Sequence, residues 1–181
     1  MGDEYECCVW NEARDRVYLR VREWQGSKPL VSFILARPFT SGIPATAPLF
    51  PEDPSVRRCA VIAKRWGYGG IRVAYLFSLR STGSLDEHRD LVGPEANEIL
   101  VREILNKPGQ VIAAWGRAPL WTLGAGISRT QARVIEVVEL AKAAGVELVC
   151  LGRNDDGSPR DLAAVKLWHP DPLAPWPGPN G

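Results

Sequence analysis

Val111-Ile112-Ala113-Ala114-Trp115, Ser128-Arg129-Thr130-Gln131 and Val146-Glu147-Leu148-Val149-Cys150-Leu151 follow one another as three pieces of a single pattern. The outer two are short apolar runs of the length of buried strands. Between them, Ser128-x-x-Gln131 is a capping-box opening for a helix over 129–144, which Gly145 closes. A helix between two apolar strands predicts a parallel pair joined by a crossover.

The alternation extends toward the N-terminus. Residues 17–24 and 30–36 read as strands joined by the short turn Gly26-Ser27-Lys28-Pro29, an N-terminal β-hairpin. A long proline- and glycine-rich loop covers 37–54. A helix over 54–66 follows, with Asp53 as N-cap, Pro54 first and Val56, Cys59, Ala60 and Ala63 on one face. Residues 71–77 form a strand and 94–106 a helix that uses Ile99, Leu100 and Ile104. The expected fold is a three-layer α/β/α sandwich with a mainly parallel central sheet. Residues 1–168 are one domain and 169–181 a tail, whose prolines at 170, 172, 175, 177 and 179 bar it from a central strand and send it over the surface. Ligands of such sheets bind beyond the carboxyl ends of the strands, here the loops after Ala36, Phe77, Trp115 and Leu151.

Composition narrows the function. The 181 residues are 45% apolar and 24% charged, as in globular proteins, and a net charge of +1 excludes a generic polycation. The longest nearly unbroken apolar run, 30–36, is too short to cross a bilayer, and the acidic start Met-Gly-Asp-Glu lacks the basic opening of a signal peptide. A cytoplasmic protein with no membrane partner is expected. Cys7, Cys8, Cys59 and Cys150 show no C-x-x-C spacing and only His88 and His169 are present, so the thiols read as reduced and no metal or cofactor is expected.

Charge is nevertheless segregated. Residues 53–80 hold Arg57, Arg58, Lys64, Arg65, Arg72 and Arg80 against Asp53 alone, with Trp66, Tyr68, Tyr75 and Phe77 among them. Cations interleaved with aromatics suit phosphate neutralisation and base stacking, although a solvated helix face gives the same pattern. Trp66-Gly67-Tyr68-Gly69-Gly70 follows a helix, the wrong order for a dinucleotide loop, so its glycines read as a cap and a turn. Gly124-Ala125-Gly126-Ile127-Ser128 precedes a helix, where free amides hold anions or Ser128 simply caps. Asp155-Asp156-Gly157 pairs two carboxylates within the composition of a tight turn. His169, held between a strand end and prolines, has the chemistry to donate to a leaving group.

Six segments in order resemble the bacterial family known as domain of unknown function 1643 (DUF1643). They are Asp53-Pro-Ser-Val-Arg-Arg-Cys59, Arg65-Trp-Gly-Tyr-Gly-Gly70, Leu76-Phe-Ser-Leu-Arg-Ser-Thr82, Asp90-Leu-Val-Gly-Pro-Glu-Ala-Asn97, Val111-Ile-Ala-Ala-Trp-Gly116, and Cys150-Leu-Gly with Asp156-Gly-Ser-Pro-Arg160. The likeness spans about residues 16–175 and implies a fold without a reaction. A weaker similarity is to the uracil-DNA glycosylase superfamily, through Arg37-Pro38, the strand ending Trp115-Gly116, and His169-Pro170-Asp171-Pro172.

That second resemblance implies recognition of a nucleic acid or nucleotide, extending to hydrolysis of an N-glycosidic bond. Phe39 and Tyr68 would stack the base, Arg57, Arg58 and Arg80 would hold phosphates, and His169 would steady the leaving base. Thr40, Asn97, Trp115 and Gly116, in or beside the matching motifs, join the binding set. Arg37 stands where both families favour an amide or acid before proline, the residue that positions water in the glycosylase superfamily. A guanidinium is no base at neutral pH but grips phosphate, so either Asp53 or its neighbour Glu52 supplies the base, or the chain binds without cleaving. In the second case it is an inactive binding module or an accessory protein of nucleotide or secondary-metabolite modification.

Overall fold

The computed structural model describes residues 4–38, 53–80, 90–117, 126–167, 173–176 and 178. In chain order the strands are β1 (Tyr5–Trp10), β2 (Val17–Glu23), β3 (Leu30–Leu35), β4 (Gly70–Tyr75), β5 (Val111–Ala113), β6 (Leu148–Cys150) and β7 (Ala174–Pro175). The helices are α1 (Pro54–Arg65), α2 (Ala96–Leu100) and α3 (Gly126–Ala143). A π-helical turn, Val101–Leu105, continues α2, and a 3₁₀ turn covers Leu162–Ala164.

The strands form one sheet in the order β1-β2-β4-β3-β5-β6-β7. The pairs β4–β3, β3–β5 and β5–β6 are parallel, whereas β1–β2, β2–β4 and β6–β7 are antiparallel. The sheet is therefore mixed and not mainly parallel, a correction that comes from both of its flanks. Alternate residues serve opposite faces, as the pleat requires. Phe33 and Val73 pack under α1 with Ile62 and Leu162, while Ile34 and Ala74 pack under α2 and α3 with Ile104 and Val137. Helices thus cover both faces, and the crossover helix changes face where the strand order reverses about β3, as right-handed crossovers demand.

The expected hairpin is rearranged. β2 and β3 do not pair; β4 lies between them. The connecting turn straddles the start of β4, with Trp24 and Gln25 N–H donating to Gly69 O at 2.9 Å and Gly69 N–H to Pro29 O at 2.9 Å. The N-terminal hairpin that does form joins β2 to β1, with Tyr5 opposite Glu23.

Two helices depart from their expected form. α3 begins at Gly126, which puts Ser128 inside the helix rather than at its cap. Beyond Leu100 the chain widens into the π-turn, sealed by Asn106 N–H donating to Val101 O at 2.9 Å. Ile99 with Ile104 and Leu100 with Leu105 are all buried. Each pair is five residues apart, the hydrogen-bond spacing of a π-turn, so the wider turn keeps both on the core side.

The tail is also more than a surface wrap. β7 pairs along the edge strand position beside β6, the place a proline-containing strand tolerates, and Trp176 is buried with its ring edge-on to Trp115 at 5.0 Å. No helix among the described residues is long and apolar enough to cross a membrane.

Candidate functional site

The strand order reverses between β3 and β5, so the crevice beyond their carboxyl ends is the topological switch point where open α/β sheets hold ligands. Arg37 follows β3 by two residues and is partly buried, which pushes its pKa down. Trp115 and Gly116 leave β5 at the same end. Gly116 adopts φ +78°, and a Cβ there would stand 2.9 Å from Asp161 Cβ, so glycine lets the 161 segment close against the crevice. Trp115 itself is buried and occupied by Trp176, which makes it wall rather than stacking platform.

Asp53 reaches the same end of the sheet as the N-cap of α1, as expected. Its Oδ1 accepts from Ser55 N–H at 2.9 Å and Val56 N–H at 3.4 Å, and its Oδ2 lies 3.9 Å from Arg20 Nη1. With 4% of its surface exposed, this carboxylate is committed to the helix and to a buried cation. Tyr75, also buried, has a hydroxyl with no hydrogen-bond partner among the described residues. Burial drives its pKa well up, the Asp53 charge adds to the rise and Arg20 opposes it. Burial likewise pushes the Cys8 thiol up to about 12 against the pull of Arg20. This cluster stores a helix cap and an ion pair; it does not present a free base.

The other sequence candidates scatter. Tyr68 lies between α1 and β4, at the amino end of the strands, where its hydroxyl donates to Gln110 Oε1 at 3.1 Å. The length of the sheet separates it from Arg37. Arg58 donates from Nε to Leu162 O at 2.9 Å and from Nη2 to Val165 O at 2.7 Å, so it fastens the 3₁₀ turn to α1. Arg57 is exposed on the same helix. Arg80 donates to Arg14 O at 3.3 Å and covers the Trp10 ring at 5.0 Å, which ties it to the β1–β2 hairpin. Lys64 covers Trp24 at 4.7 Å near the far end of α1. The basic segment therefore does not gather into one face. Phe39, Thr40, Glu52 and His169 lie outside the described residues.

The glycine and aspartate motifs have structural explanations. A Cβ on Gly69 would stand 2.1 Å from Gln25 O, and Gly67 takes φ +80° behind α1. Asp156 accepts from Ser158 N–H at 3.0 Å within its turn, while Asp155 pairs with Arg117 at 3.3 Å. Among the described residues no three His, Cys, Asp or Glu side chains converge as metal ligands.

Asn97 belongs to a network the sequence reading missed. Its Oδ1 accepts from Arg133 Nη1 at 2.5 Å, and its Nδ2 donates to Glu136 Oε1 at 2.6 Å. Glu136 also accepts from Arg133 at 2.7 Å. Burial works to raise the Glu136 pKa, but these hydrogen bonds outweigh it and hold the carboxyl below its usual range. A signal was present: Arg133 and Thr130 sit at helical spacing in the stripe completed by Val134, Val137, Val138 and Ala141. An arginine on an apolar stripe needs buried acceptors.

A family model for DUF1643, described as a protein of unknown function, matches residues 16–161. No curated protein and no solved structure matches the chain.

Proposed function

We propose that this chain, which belongs to the DUF1643 family, recognises a nucleotide or nucleic-acid phosphate in the crevice between β3 and β5 and binds it without cleaving an N-glycosidic bond. The observation that carries the reading is Arg37, a partly buried guanidinium two residues past β3 at the switch point. Burial there weakens the competition from water, so a charge-assisted fork to phosphate is worth more than on an open surface. The likeness to the uracil-DNA glycosylase superfamily lends the nucleotide class by analogy alone.

What supports the non-cleaving reading is the state of Arg37 and Asp53. Arg37 cannot take a proton from water at neutral pH. The Asp53 carboxylate already holds two α1 amides and faces Arg20, so lending it to a water would cost the helix its cap. The test is incubation at low salt with single- and double-stranded oligonucleotides carrying normal, uracil and modified bases, and with free nucleotides, followed by mass spectrometry. Retention without product is expected. Release of a free base would overturn the non-cleaving part, and neither retention nor release would overturn the ligand class.

A further inference from the structure

A cavity of about 410 Å³ opens between the first half of α3 and the segments that follow β4, with Phe77, Leu91 and Val92 as its apolar wall. Asp90, Arg129, Arg133 and Glu136 also line it. Arg133 is only 3% exposed, and its hydrogen bonding is incomplete. Nε donates to Leu76 O at 2.8 Å, and Nη1 serves Asn97 at 2.5 Å and Glu136 at 2.7 Å. Nη2 is buried and has no acceptor among the described residues. A guanidinium edge left without an acceptor is costly to bury, which makes this position a demand for an anion.

The acids of the cavity do not meet that demand. Asp90 Oδ1 accepts from Val92 and Gly93 N–H at 3.0 and 2.9 Å, and Oδ2 lies 3.4 Å from Arg16. Both Glu136 oxygens are taken by Asn97 and Arg133. Arg129, one helical turn before Arg133, is exposed and has no ion pair among the described residues. Once the internal pairs are counted, one positive charge and one unused guanidinium edge remain beside an apolar wall.

We propose that this cavity binds the oxyanion of a small molecule, a carboxylate or a phosphate, bridged between Arg133 and Arg129 with its apolar part on Phe77 and Leu91. Glu136 admits it. Its side chain is 48% exposed, and turning outward it frees one Nη1 hydrogen beside Nη2, the other staying on Asn97, and so opens the paired edge that carboxylate and phosphate take bidentately. The site is carried by α3 and is independent of the crevice reading.

Calorimetric titration of the full chain at low ionic strength with inorganic phosphate and, separately, with succinate tests it. Binding of either is expected, the tighter of the two naming the ligand's acidic group. Arg129→Gln, an exposed position, should weaken binding about tenfold or more, the loss of one charge-assisted contact. Glu136→Gln should tighten it by removing the internal competitor, and Arg133→Lys should abolish it by removing the fork. If Arg133→Lys does not fold, the two surface variants carry the test. No binding of either anion, or equal binding by wild type and Arg129→Gln, would overturn the proposal.

Discussion

Asp53 shows how one side chain fits two roles in sequence and one in space. A carboxylate before a proline in a basic segment reads equally as a cap or as a base. Its two amide partners and its distance to Arg20 assign the cap. Asp53→Ala should lower stability by about 1–2 kcal/mol in thermal or denaturant melts, whereas Asp53→Asn, which still accepts at an N-cap, should lose much less. Equal losses would show that the charge toward Arg20, not the cap, is what matters. Arg58 shows the converse. Nothing in its sequence context tells a phosphate-binding arginine from one that ties two backbone carbonyls, because the partners are more than a hundred residues away.

Helices and strands with strong periodicity were readable, and their partners were not. The apolar face of α1, its aspartate cap and its proline start follow from local spacing, as does the glycine that ends α3. β1 was not legible: Tyr5-Glu-Cys-Cys-Val-Trp10 has no clean apolar alternation, and it gains its place only by pairing with β2. The turn between β2 and β3 looked like a hairpin because a hairpin and a turn straddling a third strand use the same residues. Gly69 marks the difference, since the turn closes over it. Gly69→Ala would drive a Cβ into Gln25 O and should cost about 1–3 kcal/mol in a denaturant melt, with the loss appearing in the cooperative transition. A neutral result would mean that the turn can move off β4.

For the molecule as a whole, strand–helix alternation gave the helices on both faces and the strands β2 to β6, and it missed β1, β7 and the pairing of β2 with β4 in place of β3. Pairing at a sheet edge leaves little trace in sequence, as the tail illustrates: its Pro175 fits β7 at the edge, and its Trp176 completes the core beside Trp115. Trp176→Ala should destabilise the entire domain by about 3–5 kcal/mol, read as a shift of the single unfolding transition. A loss confined to local fraying of the tail would show that the core closes without it.

The candidate crevice was legible in part for the same reason. Topology carries Arg37, Asp53 and the Trp115-Gly116 corner to the carboxyl edge, while it carries Tyr68 to the opposite edge. That separation gives the sharpest test available: nucleotide affinity measured for wild type, Arg37→Ala and Tyr68→Ala in one low-salt titration. Phosphate recognition at the β3–β5 switch point predicts about a tenfold or greater loss for Arg37→Ala and no change for Tyr68→Ala. Loss with Tyr68→Ala and full affinity with Arg37→Ala would contradict it and move the site to the other end of the sheet.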